Sequence, residues 1–162
     1  MIYLLDVNAL LALGVSRHVH HARVTTWLEF VRAMSVQPVC LATCAITEMG
    51  FIRVASGGAA LLPDISTAKA ELARLKSSEA FIFLADAIGA DILPKWVTRP
   101  AQVTDGHLLQ LADTYQAQFA TLDAGIPGAE LITDTLFARD SVQPEPYGSY
   151  AARARSTSAV AS

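Results

Sequence analysis

Hydrophobic positions in this chain follow two rhythms. Short unbroken apolar runs, Ile2-Tyr3-Leu4-Leu5, Val39-Cys40-Leu41-Ala42 and Phe119-Ala120-Thr121-Leu122, have the length and character of strands buried on both faces. Between them the apolar residues recur at helical spacing. A short apolar helix is expected through Ala9-Leu10-Leu11-Ala12. Ser16 is expected to cap a second helix reaching about residue 34, with Ala22, Trp27, Leu28 and Val31 on its inner face. Thr43 reads as the cap of the helix that carries Glu48. Asp64 reads as the cap of one ending near Lys76-Ser77-Ser78, with Ala68, Leu72 and Leu75 facing inward. Thr104 is the expected cap of a helix to about residue 117. Phe81-Ile82-Phe83-Leu84 reads as a strand or a buried turn, residues 91–100 as irregular, and Glu130-Leu131-Ile132 as a last short strand. Alternation of this kind implies one α/β domain, a parallel sheet flanked by helices on both faces. It is expected to span residues 1–140. Beyond residue 141, Pro144, Pro146 and Gly148 give way to Ala, Arg and Ser, the composition of a flexible tail over 141–162.

The polar residues that interrupt this pattern fall where the apolar segments end or turn. Asp6 closes the first strand and Asp123 the third. Glu48 lies just inside the helix after the second, and Asp105 opens the helix after Val103-Thr104. In a parallel sheet such positions converge on the rim at the carboxyl ends of the strands, where ligands bind. Taken singly, three of the four have ordinary explanations. Asp105 suits a helix N-terminus, Asp123 before Ala124-Gly125 suits a turn, and Glu48 suits a solvated helix face. Asp6 is harder to explain, because it stands between Leu5 and Val7 in a buried segment, where an unpartnered carboxylate is costly. Four carboxylates in one place repel each other unless a cation lies between them, and oxygen-only donors suit Mg²⁺ or Mn²⁺. Such an ion activates water and stabilises charge on a phosphodiester. Asn8, Thr104 and Thr121 stand beside these acids and are expected to orient them or a metal-bound water.

Composition narrows the classes further. The chain has 162 residues, 52% of them hydrophobic and only 17% charged, which fits a folded domain with apolar surface covered by a partner or a second copy. The formal charge of −3 argues against a nucleic-acid binder, but setting aside four carboxylates leaves +1. Cys40 and Cys44 are the only cysteines, too few for a disulfide framework or a thiolate zinc site. The apolar N-terminus lacks a basic leader, and no uncharged apolar stretch approaches about 18 residues, so a cytoplasmic protein with no membrane span is expected. His18-Val19-His20-His21 lacks the i, i+4 spacing of helical zinc ligands. Arg53 and Arg99 are among the candidates for phosphate contacts.

Four segments together resemble the PIN-domain ribonucleases, and more narrowly the VapC toxins of bacterial toxin–antitoxin pairs. They are Leu4-Leu5-Asp6-Val7-Asn8-Ala9-Leu10-Leu11-Ala12-Leu13 with His20-His21-Ala22 to Trp27-Leu28; Ile46-Thr47-Glu48-Met49-Gly50-Phe51-Ile52-Arg53-Val54; Gln102-Val103-Thr104-Asp105-Gly106-His107-Leu108-Leu109; and Ala120-Thr121-Leu122-Asp123. The resemblance implies a Mg²⁺- or Mn²⁺-dependent endoribonuclease. Its acidic site would be Asp6, Glu48, Asp105 and Asp123, with metal held by Asp6, Asp105 and Asp123. It also implies a homodimer whose sites are blocked by a cognate antitoxin. Two residues depart from the usual pattern: Gly106, where a helix-favouring residue is more usual, is expected to loosen that helix start slightly, and Met49 replaces a commonly polar neighbour of the glutamate; neither removes a ligand. The rival readings are a non-catalytic PIN-like RNA-binding module, a DNA nuclease of the same chemistry, and a phosphatase of the haloacid-dehalogenase type. The last would want an aspartate where this chain has Asn8.

Overall fold

A computed structural model describes residues 1–57 and 61–134. Five strands form one wholly parallel sheet: β1 (Ile2–Leu5), β2 (Cys40–Thr43), β3 (Phe81–Phe83), β4 (Gln118–Thr121) and β5 (Glu130–Leu131). Their spatial order is β3-β2-β1-β4-β5. Five α-helices connect them: α1 (Val7–Gly14), α2 (His21–Met34), α3 (Ala45–Ala55), α4 (Ile65–Ser78) and α5 (Val103–Thr114). The chain steps outward from β1 to β2 to β3, then returns across the sheet to β4. That reversal opens a crevice between the carboxyl ends of β1 and β4, the topological switch point at which α/β folds bind their ligands.

Alternation along β1 divides the interior into two cores. Tyr3 and Leu5 face one side, joined by Leu10, Val24, Trp27, Phe51, Ala68 and Leu72 from α1 to α4. Leu4 faces the other, with Leu108, Leu111, Phe119 and Leu84. Helices therefore cover both faces, as the alternating pattern requires. Leu4, Leu5, Leu10 and Leu111 are all fully buried. Truncating any one of them to alanine would cost about 2–5 kcal/mol.

Close approach of backbones sets two positions that bear on the rim. A Cβ on Gly50 in α3 would stand 2.5 Å from Val7 Cγ2, so only glycine lets α3 seat against the first turn of α1. Gly106 in the first turn of α5 is buried, and a Cβ there would collide with Val97 Cγ2 and crowd Pro94. The sequence-level expectation that Gly106 merely loosens its helix is thereby corrected: it admits the 93–97 segment against α5.

Several helix starts differ from expectation. Ser16 is exposed and α2 begins at His21, because the intervening residues turn twice. His18 N–H donates to Val15 O at 2.9 Å and His21 N–H to His18 O at 2.9 Å. Ala22 is exposed, and the buried face of α2 is instead Val24, Trp27, Leu28 and Val31, a regular i, i+3, i+4, i+7 stripe. Thr43 is the last residue of β2. Cys44 is the N-cap of α3, with the Thr47 side chain returning to the Cys44 backbone. α5 runs from Val103 to Thr114, so Thr104 lies inside its first turn and does not cap it. Asp64 does cap α4, its Oδ1 accepting from Thr67 N–H at 2.7 Å, and Ala68, Leu72 and Leu75 are buried as expected. Phe81–Phe83 is an edge strand. The expected end of the domain at residue 140 and the tail over 141–162 lie outside the described residues.

Candidate active site

The crevice between β1 and β4 is built by the strand ends themselves. Asp6 N–H donates to Ala120 O at 3.0 Å, extending the sheet by one step, and Leu10 N–H donates to Asp6 O at 2.8 Å, which begins α1. Asp6 is thus at once the end of the central strand and the N-cap of a helix. Its side chain is only 8% exposed. Thr121, fully buried at the end of β4, donates its hydroxyl to Asp6 Oδ2 at 2.9 Å and accepts Asp123 N–H at 3.0 Å. One hydroxyl therefore fixes two of the expected acids relative to each other. Asp123 is exposed and its Oδ1 accepts Gly125 N–H at 2.7 Å, so it is also the turn residue that its sequence context suggests.

Electrostatics tie Asp105 to this pair. Burial raises the Asp6 carboxyl above its ordinary range, against the pull of the Thr121 hydroxyl and the Val7 and Asn8 amides, and the Asp123 charge raises it further. Asp105, in the first turn of α5, is also raised, by burial and then by the charges of Asp6 and Asp123. The charges of Asp6, Asp105 and Asp123 thus act on one another at the switch point, and among the described residues no ion pair involves any of the three.

Glu48 sits apart from this trio. Thr43, the buried last residue of β2, donates its hydroxyl to Glu48 Oε1 at 2.6 Å, and Lys76 from α4 forms an ion pair with the same carboxylate. Both partners are half-exposed at most, at 31% for Lys76 and 22% for Glu48. Lys76 also stands 5.7 Å from the Phe83 ring centroid. Neither Lys76 nor the Thr43 contact was expected from the sequence. Lys76 is 28 residues from Glu48 and reaches it only because α3 and α4 pack side by side.

The remaining expected residues scatter around the rim. Asn8 is exposed in the first turn of α1, at the edge of a cleft that Asp123 shares; Thr104 is exposed, and among the described residues no side-chain hydrogen bond involves it. Arg53 in the last turn of α3 and Arg99 before α5 are both exposed, with no ion pair among the described residues. Asp86 is engaged by His107, whose Nε2 lies 2.9 Å from Oδ2 and 3.0 Å from Oδ1. The histidine run divides by role. His21 Nδ1 meets Ala12 O at 2.7 Å and pins α2 to α1, whereas His18 and His20 line the cleft with Asn8, Val19, Leu122, Asp123 and Ala124.

As a metal centre the site has the right donors and an open arrangement. The carboxylate oxygens of the trio, with no thiolate beside them, match a hard divalent cation that retains several waters. Among the described residues no three His, Cys, Asp or Glu side chains lie close enough together to form a ready-made cage. An ion carrying its own water shell bridges such gaps, and the repulsion at Asp6 and Asp105 is what it would relieve. The donor set fits the cation.

Among the described residues, no helix is long and apolar enough to cross a membrane. No protein-family model matches the chain. Curated relatives from Mycobacterium tuberculosis do, three of them as follows. Ribonuclease VapC38 is 39% identical over 127 residues, 76% of this chain and 86% of the relative. Ribonuclease VapC44 is 37% identical over 140 residues, covering 78% and 92%. Ribonuclease VapC29 is 34% identical over 129 residues, covering 78% and 89%.

Proposed function

The chain belongs to the VapC ribonucleases, the PIN-domain toxins of toxin–antitoxin pairs, and from that premise we propose that it is a Mg²⁺- or Mn²⁺-dependent endoribonuclease. The observation that carries the metal dependence is the trio Asp6, Asp105 and Asp123, whose charges act on one another at the switch point with no ion pair to any of them among the described residues. These three would hold the ion. When bound, it would supply an activated water and neutralise charge on the scissile phosphate.

The chain's own residues supply alignment. Thr121 holds Asp6 and the Asp123 backbone in one frame, so both carboxylates are presented from a rigid strand end. Asn8 and Thr104 stand close enough in sequence to Asp6 and Asp105 to orient a bound water. Glu48 is the fourth catalytic acid in this reading. It stands at the rim paired with Lys76, and its entry into the site requires Lys76 to give way. Arg53 and Arg99 would contact RNA phosphates flanking the cut. A cognate antitoxin covering the rim, a homodimer, and action on RNA in the cytoplasm complete the proposal.

One observation favours the alternative of a non-catalytic RNA-binding module, namely that the acids do not form a closed cage among the described residues. Incubating the protein with total cellular RNA and Mg²⁺ or Mn²⁺, beside an Asp6→Asn variant and an EDTA control, separates the two. Discrete fragments that require both metal and Asp6 support the nuclease. Folded protein that binds RNA but neither metal nor cuts would install the binding module in its place.

A further inference from the structure

Beside the acidic trio lies a cleft of about 460 Å³ whose walls are Asn8, His18, Val19, His20, Leu122, Asp123 and Ala124. Two imidazole rings line it, their centroids 5.7 Å apart and their planes tilted by 54°. The His18 ring is held, its Nδ1 accepting His20 N–H at 3.2 Å, and the loop that carries both rings is closed at both ends by the turns at Val15–His18 and His18–His21. His21, next in the chain, is anchored to Ala12 O, so the loop is fastened to the end of α1. Val19 between the two histidines is 84% exposed and forms an apolar lip. The same cleft is lined by Asp123, whose backbone is held by Thr121 in the frame that holds Asp6.

A loop carrying two aromatic rings and an apolar side chain, in one cleft with a carboxylate that would hold metal, has the chemistry of a nucleobase platform. Unpaired bases stack on aromatic rings, including histidine, while their phosphates go to charged groups alongside. Resting on the ribonuclease reading, we propose that the cleft between His18, His20 and Asp123 is a base-stacking subsite that seats the unpaired nucleotide adjoining the scissile phosphate. The protein would accordingly cut where the RNA offers a single-stranded base. The pocket would also fix the register of the strand against the acids. His18 and His20 are positioning residues in this scheme and take no part in the proton or phosphoryl chemistry.

The test separates the subsite from the nuclease. In the full chain carrying Asp6→Asn, so that no strand is cut, fluorescence anisotropy is measured with labelled oligo(rA) and with an abasic ribose-phosphate strand of equal length. The expected result is tighter binding of oligo(rA) by about tenfold, a preference abolished in His18→Ala/His20→Ala and retained in His18→Phe/His20→Phe. Thermal melts of the variants check that the loop change leaves the fold intact. Equal binding of the two strands, no binding of either, or a preference that survives the alanine pair would overturn the subsite. In the Asp6-containing protein, the alanine pair should raise KM about tenfold with kcat nearly unchanged. Base-dependent binding without any cleavage would retain the subsite and discard the nuclease; cleavage indifferent to both histidines would do the reverse.

Discussion

The two halves of the catalytic rim use the same device to opposite ends. At β4, the strand-terminal Thr121 donates to Asp6; at β2, the strand-terminal Thr43 donates to Glu48. In both, a fully buried hydroxyl aims a carboxylate along the rim. The difference is what lies beyond. Glu48 is met by Lys76, whereas Asp6 is met by Asp123 and Asp105. One half is internally neutralised, and the other has no ion pair among the described residues. A charged site is therefore marked less by how many acids it gathers than by which of them the protein declines to pair.

The sharpest way to break that contrast is Asp6→Asn, which keeps a partner for Thr121 and removes the central charge. Cleavage should fall by about 10²-fold or more. The melting temperature of the metal-free protein should hold or rise, since a buried, repelled carboxylate is gone. A cooperative loss of folding by calorimetry would mean that Asp6 is structural. Next in size is Thr121→Val, which removes the shared hydroxyl without changing charge. Metal-dependent cleavage should drop about 10–100-fold, with metal affinity by titration calorimetry weakening in parallel.

Acidity probes the unpaired half directly. Asp6 and Asp105 have carboxyls raised in the folded protein, so the folded state takes up protons more readily than the unfolded one over that range. Their contribution to stability is fully present below the ordinary carboxylate value of 3.8 and is lost as pH rises through the raised values. For the metal-free protein, chemical denaturation of wild type against Asp6→Asn/Asp105→Asn should show the difference between them growing, to the variant's advantage, as pH rises from that region to neutrality. Adding Mn²⁺ at neutral pH should close most of the gap. No such gap would mean that the two acids do not repel. The smallest effect is expected on the paired half. Lys76→Met should cost less than about 1 kcal/mol, as partly exposed ion pairs do, while altering the metal concentration needed for half-maximal cleavage. An unchanged metal requirement would indicate that Glu48 never joins the site.

Much of the unpaired half was legible in the sequence because its positions are local. A carboxylate that ends an apolar run is at a strand end whatever the rest of the chain does, and topology then brings Asp6 and Asp123 to one crevice. Asp64 and the Ala68, Leu72, Leu75 stripe were legible for the same reason, since a cap and a helical face are settled within one or two turns. The paired half was not, because Glu48 meets Lys76 across two helices and no local pattern announces the meeting. The start of α2 was misread where His18 Nδ1 accepts a backbone N–H from His20, a side chain competing with the helix for an amide. Gly106 appeared to be a weakness because its purpose, room for Val97 and Pro94, lies in another segment.

β1 is the middle strand, hydrogen-bonded on both sides, and Asp6 prolongs that pairing. Its amide belongs to the part of the molecule that opens last, and in hydrogen exchange it should be among the slowest of all. A nuclease that relies on Asp6, as proposed, keeps that acid in place when the edges of the sheet fray. Silencing it takes a cover over the rim or destruction of the whole chain, and a cell that makes such a protein must keep one of those to hand.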